Sequence, residues 1–385
     1  MKKLFKGVLV ALMLTSMVAC STADDTTATA DPTTTDETDA TTEAINIGFI
    51  GPLEGDTSVY GIAVANGGEL ALNDYNEANG TNFVYVKADS KGDSTEAVNA
   101  YNKLVDDDNI AGLLGAVLSG ESTAVASVAT TIGTPMISAS ATAAEFTLTG
   151  DDVFRGCYTD PFQAQKIAEF TVDTLAADTV AIIYDSGSDY STGMAETFKE
   201  VFEAAGGTVV EYKAYNTGDK DYNSQLTTIA AANPDVIFSP NYYNDDYLIA
   251  QQARALGITA TFVGGDGWDG ILSIKDMDPS VVEGSVFVNH YAPDDENVEA
   301  WIETYKDEYD MDPNAFSVLA YDSMNILLEA ITAAGTTDSE AVVAAMQATS
   351  YDGLLGHLEF DENGDPIKDV AYVTVQDGEY VTYGK

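Results

Sequence analysis

The sequence predicts an α/β fold of two doubly wound, Rossmann-like lobes joined by a hinge that the chain crosses three times. Three observations carry that prediction. Short apolar runs of strand length alternate with stretches of helix length, which calls for parallel strands joined by crossover helices. The alternation runs twice, broken near Thr159 to Phe162, so two sheets are expected. Three more helices and a few strands then follow, too little for a third core.

The chain has 385 residues, and its first twenty stand apart. Lys2, Lys3 and Lys6 precede an apolar run from Val8 to Leu14, and Met17-Val18-Ala19-Cys20 closes it. This is the pattern of an export signal, too short to span a bilayer as a mature helix. A cysteine behind a small residue resembles the lipobox of bacterial lipoproteins, although Met17 and Val18 depart from its commonest residues. Residues 1–20 are therefore expected to be a lipoprotein signal segment cleaved ahead of Cys20, which becomes the first residue, is lipidated and holds the protein on the outer face of the cell membrane. Ser21 to Glu43 is Thr, Ala and Asp with one proline and no aromatic residue, a solvated tether.

The folded part begins with a strand at Ile45 to Ile50, a glycine loop at Gly51 to Gly55 and a helix from about Val59 to Asn79. A strand at Phe83 to Ala88 follows, and Asp93-Ser94-Thr95-Glu96 has capping-box spacing for a helix to Val105. Leu113 to Val117 and Pro135 to Ile137 read as strands around a helix starting near Glu121. The second run gives a helix to Leu175, strands at Val180–Tyr184, Thr208–Tyr212, Val236–Ser239 and Thr261–Val263, and helices at Met194–Ala205, Tyr222–Ala232 and Asp245–Leu256. Val298–Tyr309, Pro313–Ala334 and Ser339–Thr349 read as helices returning to the first lobe, and strands from His357 to Tyr383 as completing the second. The lobes are thus expected at 44–160 with 291–350 and at 161–290 with 351–385, with crossings near Asp160, His290 and Tyr351. Asp361-Glu362-Asn363-Gly364-Asp365 lacks the glycine and glutamate positions of a calcium loop and reads as a turn.

In Gly112 to Thr142 one chemical device occurs twice. A short strand runs into hydroxyl and small residues, first Ser119, Gly120, Ser122 and Thr123, then Ser138, Ser140 and Thr142. Such strand ends expose backbone N–H groups and hydroxyl donors, and a helix N-terminus adds its positive end, which together suit an anion. The same residues would also suit two ordinary strand-to-helix turns.

Charge narrows the choice of ligand. Beyond residue 43 the chain has 13 basic and 56 acidic side chains, a formal charge of −43. That surface repels nucleic acid and anionic lipid headgroups, and without a basic cluster it disfavours a phosphate ester. Only Cys20 and Cys157 are present, so no disulfide is expected in the folded part, and Cys157 reads as a buried small residue. The two histidines, His290 and His357, lie near no nucleophile in sequence, and no G-x-S-x-G, H-E-x-x-H or Walker A segment occurs. No enzyme activity, cofactor or metal is expected.

A binding role has more support, since polar and aromatic groups fall at strand ends in both lobes. Tyr60 and the hydroxyl clusters lie in the first. Tyr190, Tyr242, Tyr243 and the Asp266 of Gly264-Gly265-Asp266-Gly267-Trp268 lie in the second. An Asp among glycines is commonly a turn residue. Opposite an uncharged anion grip it would supply the other half of a zwitterion site, taking an ammonium.

IGFIGPLEGDTSVYG, TPMISASAT, FRGCYTDPFQAQ, YDSGSDYSTGMAETF and QQARALGITATFVGGDG resemble, in order, the successive signatures of the branched-chain amino-acid binding proteins. These are type I periplasmic receptors that feed ABC importers, and the resemblance runs from Ile45 to Tyr383. It implies that Ser119 or Ser122, the backbone at Ser140 and the Thr142 hydroxyl hold an α-carboxylate, and that Asp266 holds the α-ammonium with help from Tyr242 or Tyr243. Tyr60 and Tyr190, with Trp268 joining them, would line the side-chain pocket. It further implies a monomer that captures an apolar amino acid by hinge closure and passes it to permease subunits. An amide, urea-like or aromatic-acid ligand, or a sensory partner, stays open. Asp266 departs from the family's more frequent Glu, and the disulfide of some members is absent.

Overall fold

The computed structural model describes residues 43–384. The signal segment 1–20 with Cys20, and the tether through residue 42, lie outside the described residues.

The first sheet holds β1 (Ile45–Gly51), β2 (Phe83–Asp89), β3 (Gly112–Gly115), β4 (Met136–Ser138) and β5 (Val153–Arg155) in the order β2-β1-β3-β4-β5, all pairs parallel. Helices α1 (Ser58–Asn79), α2 (Ser94–Asp106) and α3 (Ser119–Ile132) make its crossovers. The Asp93 side chain accepts from the N–H groups of Thr95 and Glu96 and so starts α2 where the spacing predicts. Gly80 and Gly133 end α1 and α3 in the left-handed region. α3 begins two residues before the expected Glu121, so Ser119 is its first residue.

The second lobe is built from α4 (Asp160–Asp173), β6 (Thr179–Asp185), α5 (Asp189–Ala204), β7 (Thr208–Tyr215), α6 (Asn223–Ala232), β8 (Val236–Phe238), α7 (Tyr243–Ala255), β9 (Thr261–Gly264) and β10 (Val286–Asn289). Then come α8 (Glu296–Tyr309), α9 (Ala315–Ala334), α10 (Ser339–Gln347), β11 (Ser350–Gly353), β12 (Gly356–Glu359), β13 (Ala371–Gln376) and β14 (Glu379–Thr382). The second sheet runs β14-β13-β10-β9-β8-β6-β7, with β13 and β14 antiparallel at one edge. Its parallel part, β7-β6-β8-β9-β10, repeats the order of the first sheet, so one winding occurs twice. In such sheets ligands bind beyond the carboxyl ends of the strands, where the strand order reverses.

The long helices pack beside the first sheet. α9 lies along α1 so closely that a Cβ on Gly67 would sit 2.1 Å from the Ser317 carbonyl oxygen, and Leu327 packs over Gly112 of β3. Three strands, β5, β10 and β11, go beyond those read from the sequence.

The third crossing corrects the expectation at Tyr351. β11 and β12 pair only with each other, and the buried Asp322 of α9 accepts from the N–H groups of Leu354 (3.0 Å) and Leu355 (3.1 Å) and from the Tyr351 hydroxyl (3.3 Å). A buried carboxylate thus captures this hairpin against α9, and the chain enters the second sheet only at β13. On the way Arg155 pairs with Asp365 (2.5 Å) and Lys368 Nζ donates to the Gly156 carbonyl (2.8 Å). The acidic segment is a turn in which Asp361 Oδ1 accepts from the N–H groups of Asn363 and Asp365. No helix among the described residues is long and apolar enough to cross a membrane. Cys157 is buried, and its thiol, pushed up by burial, points to the Ala141 carbonyl.

Candidate functional site

One cavity lies between the two sheets at the carboxyl ends of their strands. It is lined by Tyr60, Val117, Leu118, Ser119, Ser140, Thr142 and Phe316 from one side and by Tyr190, Tyr242, Asp266 and Gly267 from the other. Each group follows from the winding. The residues after β3 and β4 supply the hydroxyl wall, those after β8 and β9 supply Tyr242 and Asp266, and the first turns of α1 and α5 supply Tyr60 and Tyr190. Seven residues singled out in the sequence therefore meet in one place: Tyr60, Ser119, Ser140, Thr142, Tyr190, Tyr242 and Asp266.

Two others do not. Ser122 is buried within α3, one turn beyond Ser119, and lies outside the cavity lining. The Trp268 indole turns away into the core, where Nε1 donates to the Ser239 carbonyl (2.8 Å) and the ring packs on Phe262. Gly264 permits this, since a Cβ there would lie 2.1 Å from the indole.

The hydroxyl wall is internally braced. Ser138 Oγ donates to the Ala116 carbonyl (2.7 Å) and accepts from the Ala141 N–H (2.9 Å), and Ser140 Oγ donates to the Val117 carbonyl (2.9 Å). Ser119 Oγ accepts from the Ala143 N–H (3.3 Å) and so keeps a proton to donate. Behind this wall Arg155, fully buried, donates to the carbonyl of Ala141 (2.8 Å) and to Thr147 Oγ1 (3.0 Å) while paired with Asp365. Its charge shapes the loop and stops short of the cavity, whose lining includes no Lys or Arg among the described residues.

The opposite wall is acidic and closely held. Asp266 is 2% exposed; Oδ1 accepts from Gln163 Nε2 (3.0 Å) and Oδ2 lies 3.1 Å from His290 Nε2. Gln163 also donates to Asp160 Oδ1 (3.0 Å), and its Oε1 accepts the Asp266 N–H (3.1 Å). Burial first, then the neighbouring Asp266, lifts the Asp160 carboxyl well above the usual range. Burial holds His290 below the ordinary histidine value. At the mouth of the cleft, burial raises Glu121 to about 7.

Aromatic rings complete the walls. Tyr190 and Tyr242 stack at 5.3 Å, and Tyr60 meets Tyr242 edge-on at 5.7 Å and Phe316 at 4.5 Å. The Tyr60 hydroxyl crosses between the sheets, donating to the Gly267 carbonyl and accepting from the Tyr243 N–H (3.0 Å). Tyr190 Oη accepts the Gly267 N–H (3.1 Å). Gln163, His290, Asp160 and Phe316 went unassigned from the sequence. FRGCYTDPFQAQ holds two of them, but nothing in that motif shows that residue 163 touches residue 266.

Two doubly wound lobes that meet on one polar, aromatic cavity define a two-lobed solute-binding protein. The chain belongs to the periplasmic binding protein family, which it matches over residues 44–379. It is 31% identical over 331 residues to the Leu/Ile/Val-binding protein BraC3 of Rhizobium johnstonii, covering 83% of this chain and 88% of that protein. Its fold is similar to that of the leucine-binding protein LivK of Thermotoga maritima, with a TM-score of 0.81 and 32% identity over 88% of this chain and 98% of the other. It is also similar to the branched-chain amino acid transporter substrate-binding protein LivJ of Streptococcus pneumoniae, solved with isoleucine, with a TM-score of 0.83 and 29% identity over 88% and 98% of the two chains. The family binds solutes rather than transforming them, so the protein is not an enzyme.

Proposed function

We propose that the protein captures a zwitterionic amino acid with an apolar, branched-chain side chain between its lobes and delivers it to the permease of an ABC importer. The observation that carries this reading is the polarity of one cavity: the Ser119 and Thr142 hydroxyls and the backbone at Ser140 on one wall, Asp266 on the other, and no cation among the described residues lining either. A carboxylate is held by hydroxyl and N–H donors, an ammonium by Asp266, and the side chain packs among Tyr60, Val117, Leu118 and Phe316. The ligand as a whole is neutral, so the strongly acidic surface does not expel it. The names of the relatives, which bind leucine, isoleucine and valine, support the same ligand class. In this reading Cys20 carries a lipid anchor and the protein acts as a monomer.

Calorimetry against the amino acids, with acetamide and benzoate as controls, tests this. Leucine, isoleucine or valine is expected to bind most tightly and to raise the melting temperature. Binding of benzoate or acetamide with no amino acid binding would overturn the zwitterion reading.

A further inference from the structure

Asp266 is held from both sides by residues next to expected hinge crossings. Gln163 lies three residues past Asp160 on α4, and His290 directly follows β10. The geometry fixes what each contributes. Gln163 Nε2 gives one proton to Asp266 Oδ1 and the other to Asp160 Oδ1, while its Oε1 takes the Asp266 N–H, so its orientation is determined at every atom. His290 Nε2 faces Asp266 Oδ2 at 3.1 Å and therefore carries the ring proton, and Nδ1 has no partner among the described residues. The ring cannot turn away freely, because it is stacked on Tyr158 at 3.8 Å and is 7% exposed.

We infer that His290 is an internal competitor for the ligand's ammonium, a positioning residue when neutral and a counter-ion to Asp266 when protonated, which makes ligand release acid-sensitive. This rests on the zwitterion reading above. A neutral imidazole orients Asp266 without cancelling its charge. An imidazolium at the same 3.1 Å supplies the positive charge that the ammonium otherwise brings, and two cations compete for one carboxylate. The other ionisable groups around His290 are the stacked Tyr158 and Lys368, which opposes its protonation. Further out lie Asp160 through Gln163, and Asp269, bonded to the adjacent Asn289.

The sign follows from linkage. An ammonium on Asp266 lowers the proton affinity of His290, so binding expels a proton where free His290 is protonated. Affinity is therefore full at neutral pH and falls as pH drops below the ordinary histidine range, because burial places this ring lower. The test is calorimetry with leucine from pH 7.5 to 5 on the intact protein, on His290→Gln and on Asp160→Asn. Glutamine keeps an N–H donor but cannot acquire charge. Wild type is expected to lose about tenfold in affinity over that interval, and the glutamine variant less than about threefold relative to its own affinity at pH 7.5. A slope unchanged in His290→Gln, or abolished by Asp160→Asn instead, overturns the inference while leaving the zwitterion reading intact. Absence of leucine binding to wild type at pH 7.5, with no other amino acid binding, overturns both.

Discussion

At the scale of single residues, Asp266 and Ser119 face each other across the cavity with very different consequences for affinity. In the proposed clamp Asp266 is the carboxylate that meets the ammonium, buried and already bonded to Gln163 and His290, so replacing it would leave the cation desolvated and unpaired. Asp266→Asn is expected to weaken amino-acid binding by about 100-fold, roughly 3 kcal/mol, because breaking a buried charge pair costs far more than a neutral hydrogen bond. Ser119→Ala removes one of several donors and is expected to cost only about fivefold. Titration of both variants with the same ligand checks the ratio, and equal losses would contradict the assignment of charge to Asp266. This is also the scale at which the sequence was least legible. The strand ends could be read, so Ser140, Thr142 and Asp266 were found. The direction of a side chain could not, and Trp268, adjacent to Gly267, turned out to serve the core. Gln163 and His290 were hidden because 103 and 24 residues separate them from the carboxylate they hold.

At the scale of elements, the pairing of α1 with α9 is what returns the chain to the first lobe, and Gly67 sets its closeness. Glycine inside a helix ordinarily costs about 1 kcal/mol relative to alanine, so Gly67→Ala would stabilise an isolated helix. Here the added Cβ would meet the Ser317 carbonyl oxygen at 2.1 Å, and backbone cannot rotate aside. The substitution is expected to destabilise the protein by about 1–3 kcal/mol, reversing the helix-propensity sign. Urea unfolding of the two proteins decides it, and a stabilised variant would mean that the helices do not approach so closely. The elements themselves were largely legible, since buried parallel strands read as short apolar runs between stretches of helix length. β5, β10 and β11 escaped although β4 and β8 are as short, so length alone did not hide them. The chain from Tyr351 was expected in the second lobe, because the Asp322 carboxylate that captures it lies about 30 residues upstream.

At the scale of the molecule, the lobes are fastened by few contacts that cross the cavity, and these contacts differ in kind. At the rim Lys220 bridges Asp56 of the first lobe and Asp245 of the second at 3.1 Å each, and Asn244 donates to the Asp56 carbonyl. Lys220 and Asp56 are 49% and 74% exposed, so salt screens that bridge and its loss is expected to shift affinity by less than about threefold at physiological ionic strength. Tyr60 is 1% exposed, and its hydroxyl bonds both the Gly267 carbonyl and the Tyr243 N–H of the opposite lobe. A ligand closes the lobes only by binding the closed form more tightly than the open one, and the Tyr60 contacts add to the closed form alone. Tyr60→Phe keeps the ring against Tyr242 and Phe316 but removes both bonds and leaves the Gly267 and Tyr243 groups unmatched when closed. Its ligand dissociation rate is therefore expected to rise about tenfold while the association rate stays within about threefold, as follows when an interaction exists only after closure. Stopped-flow kinetics measures the two rates, and scattering of the ligand-free variant is expected to show a larger radius of gyration than wild type. If the substitution slowed association instead and left dissociation unchanged, Tyr60 would be guiding entry of the ligand rather than fastening the lobes.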